Sequence, residues 1–239
     1  MYPEFPYLEE HHFFHFPSVE KSSPEGIVAV GGNLSPGILI SAYSQGIFPW
    51  FSEGDPILWW SPHPRCVLFP EDIHISKSMK KILKKGYFSF SFDRAFDRVI
   101  EGCRDTPRKG EKGTWLTREM VKAYKKLHSL GYAHSLEVWL EGKIAGGLYG
   151  VSLGGCFFGE SMFSRVSNAS KTALIVLAKT VEKLSFLFID CQVYTPHLET
   201  MGAKMISRQK FLQLLSTGLE KPTIKGKWGQ VLNFDIFKL

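Results

Sequence analysis

Hydrophobic positions along the chain recur in two periods, one helical and one extended. Over residues 36–45, Ile38, Leu39, Ala42 and Tyr43 form one apolar stripe, with Ser35 as N-cap, Pro36 at the first helical position and Gly46 as the stop. Further helices are predicted over 77–85, 94–104 and 118–130. The last is opened by Thr117, closed by Gly131 and carries Met120, Val121, Tyr124 and Leu127 on one side. SLEVWL, KIAGGLYGVS and GCFFGESMF read as strands, joined by turns at Glu141-Gly142 and Gly154-Gly155. Asn168 is placed to cap a helix reaching about Lys183, and FLFIDCQV at 186–193 has the unbroken apolar run of a buried central strand. A final helix is expected near 208–216. The stretch 46–65, GIFPWFSEGDPILWWSPHPR, breaks both periods with four prolines and three tryptophans, which predicts a shaped aromatic surface instead of a regular element. The change of pattern at SPHP divides the chain into a small N-terminal domain, 1–64, and a larger one, 65–239. The architecture is α+β, a mixed sheet with helices against it.

Composition changes this picture little. Apolar residues at 44% and charged residues at 22% are ordinary globular values and exclude a disordered chain. Lys plus Arg, 29, against Asp plus Glu, 23, leaves +6, a mild excess compatible with a polyanionic partner. The first residues carry Glu4, Glu9 and Glu10 and no basic run, so a secretory signal is not expected. The longest apolar run, ALIVLA at 173–178, is far short of a membrane span. Cys66, Cys103, Cys156 and Cys191 are too scattered for a disulfide scaffold or a zinc site, which points to reduced thiols in a cytoplasmic protein.

Charge placement is more informative. In SKSMKKILKKG, Lys77, Lys80, Lys81, Lys84 and Lys85 share one helical face opposite Met79, Ile82 and Leu83. No acid relieves their repulsion, so the face suits phosphate backbone, although a merely solvated face would look the same. Asp190 interrupts an apolar strand, and Gln192, two residues on, shares its side. A carboxylate there, partly hydrated, either accepts hydrogen bonds in a strand-end turn or receives a cation. Glu160, in GESMFSR, would form with Asp190 an acidic recess suited to a cationic substrate group; a salt bridge to Arg165 is the simpler alternative. The histidines at 11, 12 and 15 lack the acid or Cys partners of a metal site, and no metal is expected.

These blocks resemble the leucyl/phenylalanyl-tRNA–protein transferase family. The likeness runs from about 27 to 216 through AVGGNLSPGILISAYSQGIFPWF, DPILWWSPHPR, HISKSMKK, VIEGC, GTWLT, AHSLEVW, GGLYGV, GESMFSRVSNASKTAL and IDCQV. It implies a cytoplasmic aminoacyltransferase moving Leu or Phe, with Met as a further donor, from aminoacyl-tRNA to proteins with N-terminal Arg or Lys, marking them for N-end-rule degradation. It also implies a GNAT-like second domain with a mixed, mostly antiparallel sheet flanked by helices, and no cofactor. By the same resemblance Asp190 and Gln192 are the catalytic pair, Asp190 helping to deprotonate the amine directly or through Gln192. Glu160 meets the acceptor's cationic residue or the donor's amine. Trp50 and Trp115 hold the terminal adenosine, Phe157 and Leu174 line the donor side-chain pocket, and Lys77, Lys81 and Lys84 contact the acceptor stem. The ends, before residue 27 and after 217, match poorly and are assigned no role. A CoA-dependent N-acyltransferase is the rival enzyme, disfavoured because RVSNAS at 165–170 lacks the pyrophosphate-loop glycines. A non-catalytic RNA-binding protein would leave Asp190 and Gln192 unexplained.

Overall fold

The computed structural model describes residues 5–106 and 116–232. The chain begins with β1 (Ile27–Val30), α1 (Pro36–Ser44), β2 (Phe48–Pro49) and β3 (Leu58–Trp60). These strands form a three-stranded antiparallel sheet in the order β1-β3-β2. The Pro-rich stretch expected to lack regular structure therefore contains two short strands. Trp60 pairs with Ile27 on one side and Phe48 on the other. The prolines are tolerated because Pro49 ends a two-residue edge strand.

Helix α1 buries its predicted stripe, Ile38, Leu39, Ala42 and Tyr43, almost completely. Ser35, however, does not cap it by its side chain. Its hydroxyl accepts the Leu8 N–H instead, Ser41 accepts that of Phe14, and Gln45 brackets the backbone of Phe14 and Phe16. The polar residues of α1 are thus occupied by the leading segment, which the sequence left without a role. Gly37 is required here, since a Cβ would collide with the Glu9 carbonyl oxygen.

The rest of the chain runs β4 (Arg65–Leu68), α2 (Lys77–Lys84), β5 (Ser89–Phe92), α3 (Phe96–Arg104), α4 (Arg118–Ser129), β6 (Ala133–Leu140), β7 (Lys143–Leu153) and β8 (Cys156–Ser164). It continues through α5 (Ala169–Lys183), β9 (Phe188–Gln192), α6 (Pro196–Thr200), β10 (Lys204–Ile206), α7 (Arg208–Leu219) and α8 (Trp228–Val231). The strands form one seven-stranded sheet, β10-β4-β9-β8-β7-β6-β5. Its pairs are antiparallel except β8–β9, so the mixed, mostly antiparallel sheet flanked by helices is the architecture expected. The turn at Glu141-Gly142 carries two positive φ angles, 50° and 74°, as a tight hairpin requires.

Strands β6 and β7 are buried on both faces, because helices cover each. One apolar cluster joins Tyr149 and Val151 of β7 to Tyr43, Val99, Tyr124 and Phe211 from α1, α3, α4 and α7. The other joins Leu148 to Met79, Leu174, Leu177 and Trp228 from α2, α5 and α8. Helix α5 starts where expected with Asn168 at its N-cap, but without a capping bond from the Asn168 side chain. That residue takes a left-handed conformation, φ 71°, which turns the chain out of β8.

Two irregularities position the site. In β8, Ser161 pairs with Tyr149 and Gly159 with Gly150, leaving Glu160 as the extra residue of a β-bulge. In β9, Gln192 pairs with Cys66 and Asp190 with Val67, leaving Cys191 extra. The parallel β8–β9 pairing reaches Phe158 and Asp190 and goes no further. Beyond that point the two bulged strands part.

Candidate active site

The parting of β8 and β9 opens a cavity of about 630 Å³. Trp50, Glu160, Leu174, Asp190 and Gln192, all singled out in the sequence, line it together, and Met162 and Leu177 extend its apolar wall.

Asp190 is fully buried, in contrast to the partial hydration expected of it. The cation it receives is the chain's own Arg65, whose Nε donates to Oδ1 at 2.8 Å and Nη2 to Oδ2 at 2.7 Å. Oδ1 also accepts the Gln192 N–H at 3.0 Å, so the strand-end turn and the cation partner are both realised. Arg65 is equally enclosed. Its Nη1 donates to the Gly46 carbonyl, and its guanidinium lies 4.8 Å and 4.4 Å from the Phe48 and Phe211 ring centroids. Such a fork satisfies both charges in geometry while removing both from water.

Glu160 is held differently. Its carboxylate accepts from Tyr43 Oη at 2.7 Å, Tyr124 Oη at 2.6 Å and Gln192 Nε2 at 3.5 Å, none of them cationic. The alternative bridge to Arg165 does not form; that guanidinium lies over the Phe163 ring. Burial raises the Glu160 pKa to about 7. The Tyr124 and Tyr43 hydroxyls pull it down, the nearby Asp190 charge pushes it up, and Arg65 opposes that push. The acidic recess thus contains one carboxylate neutralised by a guanidinium and one cushioned by neutral donors. Gln192 sits at φ 57°, a left-handed conformation unusual for its type, stabilised by the bond from its N–H to Asp190.

The remaining expectations divide. Trp50 is 39% exposed beside Trp60, a flat surface at the cavity wall. Leu174 reaches the cavity from α5. Phe157 does not; it is 1% exposed in the core, packed 5.9 Å from the Trp228 ring in the same apolar cluster as Leu174. Trp115 lies outside the described residues. Lys77, Lys81 and Lys84 stand exposed on α2 around a buried Met79, as the wheel predicts, and do not line the cavity. Among the described residues no group of His, Cys, Asp or Glu is arranged to hold a metal ion, and no helix is long and apolar enough to cross a membrane.

Arg65, Tyr43 and Tyr124 are the residues that sequence reasoning misses. An arginine opening the apolar strand RCVL is a usable signal, since a buried guanidinium demands a carboxylate. The tyrosines carry no such mark, because each sits on an apolar stripe where a ring alone explains it.

Residues 67–216 match the family model described as leucyl/phenylalanyl-tRNA protein transferase, and residues 32–63 match that of its N-terminal domain. The chain is 56% identical over 213 residues to the leucyl/phenylalanyl-tRNA–protein transferase of Syntrophus aciditrophicus, covering 89% of each. It is 49% identical to that of Myxococcus xanthus, covering 92% of this chain and 94% of the other. Among solved structures, a GCN5-related N-acetyltransferase from Kribbella flavida overlaps with TM-score 0.36 at 7% identity, covering 72% of this chain and 62% of that one. L-PGS from Bacillus licheniformis overlaps with TM-score 0.36 at 14% identity, covering 69% and 58%. Overlaps that loose carry no argument about chemistry. The two family models and the extent of the sequence identity do: the chain belongs to the leucyl/phenylalanyl-tRNA protein transferase family.

Proposed function

We propose that this aminoacyltransferase moves leucine or phenylalanine, with methionine as a further donor, from aminoacyl-tRNA onto proteins whose first residue is Arg or Lys. The observation that carries the reading is the meeting of Glu160, Asp190 and Gln192 beside an apolar wall in one cavity. An aminoacyl ester is already activated, so the protein's task is to hold ester and amine together and to manage a proton. Leu174 and Met162 offer the apolar surface for the donor side chain. Trp50 offers a face for the terminal adenine, where stacking contributes about 1–3 kcal/mol. Gln192, fixed by its bond to Asp190, orients the reacting groups. The lysines of α2 meet acceptor-stem phosphates away from the chemistry. A division near residue 64 into a tRNA-end-binding part and a catalytic part fits the two separate sheets, and a cytoplasmic location fits the substrate.

The CoA-dependent alternative is weakened by the N-terminus of α5. There the Ser170 N–H is taken by the Ser164 hydroxyl, where a pyrophosphate would need open donors. The test is transfer of labelled leucine or phenylalanine from charged tRNA to peptides beginning with Arg, Lys or Ala. Labelled Arg and Lys peptides, an unlabelled Ala peptide and loss of transfer on RNase treatment are expected. Equal labelling of all three would overturn the acceptor assignment, and transfer from an acyl-CoA instead would overturn the donor.

A further inference from the structure

Attack on the ester requires a neutral amine, whereas a chain's α-amino group, with a pKa near 7.7–8.0, is largely protonated at neutral pH. A proton acceptor is therefore needed within reach, and the site offers three candidates. Gln192 is a neutral amide whose oxygen accepts hydrogen bonds but not protons. Asp190 is enclosed, and protonating it would break its ion pair and leave the Arg65 charge buried without a partner. Glu160 lines the cavity, is turned out of the strand pairing by its bulge, and has no cation to lose.

The phenol cluster adds a second observation. Tyr43 Oη and Tyr124 Oη are 2.6 Å apart, and each is within 2.7 Å of a different Glu160 oxygen. These three contacts form a ring, yet two phenol protons can fill only two of them. A proton arriving on Glu160 fills the third. The phenols keep their own protons, since burial and the Glu160 charge raise both well above the usual tyrosine value.

We infer that Glu160 is the catalytic proton acceptor for the attacking α-amine, with Tyr43 and Tyr124 as positioning residues and Asp190–Arg65 as a fixed ion pair that holds Gln192. This rests on the transfer reaction proposed above. The ammonium gives one proton to the Glu160 carboxylate, and the neutral amine forms the N–C bond at the ester carbonyl. The C–O bond to the ribose then breaks, the leaving oxygen takes the second nitrogen proton, and Glu160 returns its proton to solvent. An acceptor half-ionised at about pH 7 is suited to this exchange. The groups facing it are Tyr43 from α1, Tyr124 from α4, Tyr149 from β7 behind them, Arg65 from β4, and Asp190 and Gln192 from β9.

The experiment is single-turnover transfer over a range of Arg-peptide concentrations up to saturation, across pH 5.5–9.5, for the wild type, Glu160→Gln and Tyr43→Phe, with melting temperatures to verify folding. Glu160→Gln should lower the limiting rate about 10²–10⁴-fold while leaving the peptide KM nearly unchanged. Tyr43→Phe removes one donor to the carboxylate and should move the rate midpoint up by about one pH unit. The pKa of the peptide amine is the same for both proteins, so this shift belongs to Glu160. A Glu160→Gln rate within about threefold of wild type with a raised KM would make Glu160 a binder of the acceptor's side chain and overturn the inference. An unmoved midpoint in a folded Tyr43→Phe protein would overturn it equally. Wild-type protein that transfers nothing would overturn the transfer reading itself, a result distinguishable from either.

Discussion

Glu160 carries a cost in stability that follows from its surroundings. Its pKa is raised from 4.5 to about 7, so the native state binds the proton more tightly than the unfolded chain does. Native stability from this group is therefore fully present below about pH 4.5 and is lost as pH rises through 7. At about 1.4 kcal/mol per unit, the ionised form costs on the order of 3 kcal/mol at pH 8. Glu160→Gln should accordingly be more stable than wild type at pH 8, with the advantage gone by pH 4, as urea midpoints at the two pH values would reveal. Asp190 acts through its ion pair with Arg65. Asp190→Asn strands the enclosed Arg65 charge and should destabilise the fold by about 3–5 kcal/mol, whereas Arg65→Met with Asp190→Leu should recover most of that loss without recovering transfer. A stable Asp190→Asn protein in urea titration would contradict the ion-pair geometry. At this scale the carboxylates are legible in the sequence, because a charge in an apolar strand stands out. Their partners are not. Arg65 lies 125 positions from Asp190, and the tyrosine hydroxyls are hidden within apolar stripes.

Among the elements, those with a strong local period are legible. Helix α4 shows its cap, stop and stripe, and Thr117 does accept the Met120 N–H. The strands missed, β1 to β5 and β10, have at most four residues and gain definition only from distant partners such as Ile206 against Arg65. The bulges at Glu160 and Cys191 are invisible for the same reason, since register is a property of pairs of strands. Helix α2 is the element whose sequence reading passes directly into a measurement. Replacing Lys77, Lys81 and Lys84 with Ala should weaken charged-tRNA binding and flatten log K against log salt by about two to three units. The loss should shrink for a minimal aminoacyl-adenosine donor, which has no acceptor stem. Equal losses with both donors would place α2 in the chemistry or the folding.

For the whole molecule, the cavity depends on pieces from along the chain. The leading segment is bonded along α1, which supplies Tyr43, and Arg208 of α7 reaches back to Val19, Ser22 and Ser61. At the other end, the Trp228 N–H and His134 Nδ1 both meet Asp93, so the last helix is bonded to the base of β5. Both flanking segments thus buttress the body, and the 92% of the chain matched by the Myxococcus xanthus relative reaches into both of them. Backbone contacts of this kind constrain composition weakly, which is why pattern alone gives them no role.

The separation of Arg65 from Asp190 also sets a timetable for the newborn chain. Strand β4 lies between β9 and β10, both made far later. At 5–20 residues per second a ribosome needs roughly 6–25 s to pass from Arg65 to Asp190. Throughout that interval an acidic, aromatic N-terminal third waits with its arginine unanswered and both edges of β4 open. A polypeptide released early, from a truncated message, never acquires the carboxylate that closes its sheet, and remains a substrate for chaperones and proteases.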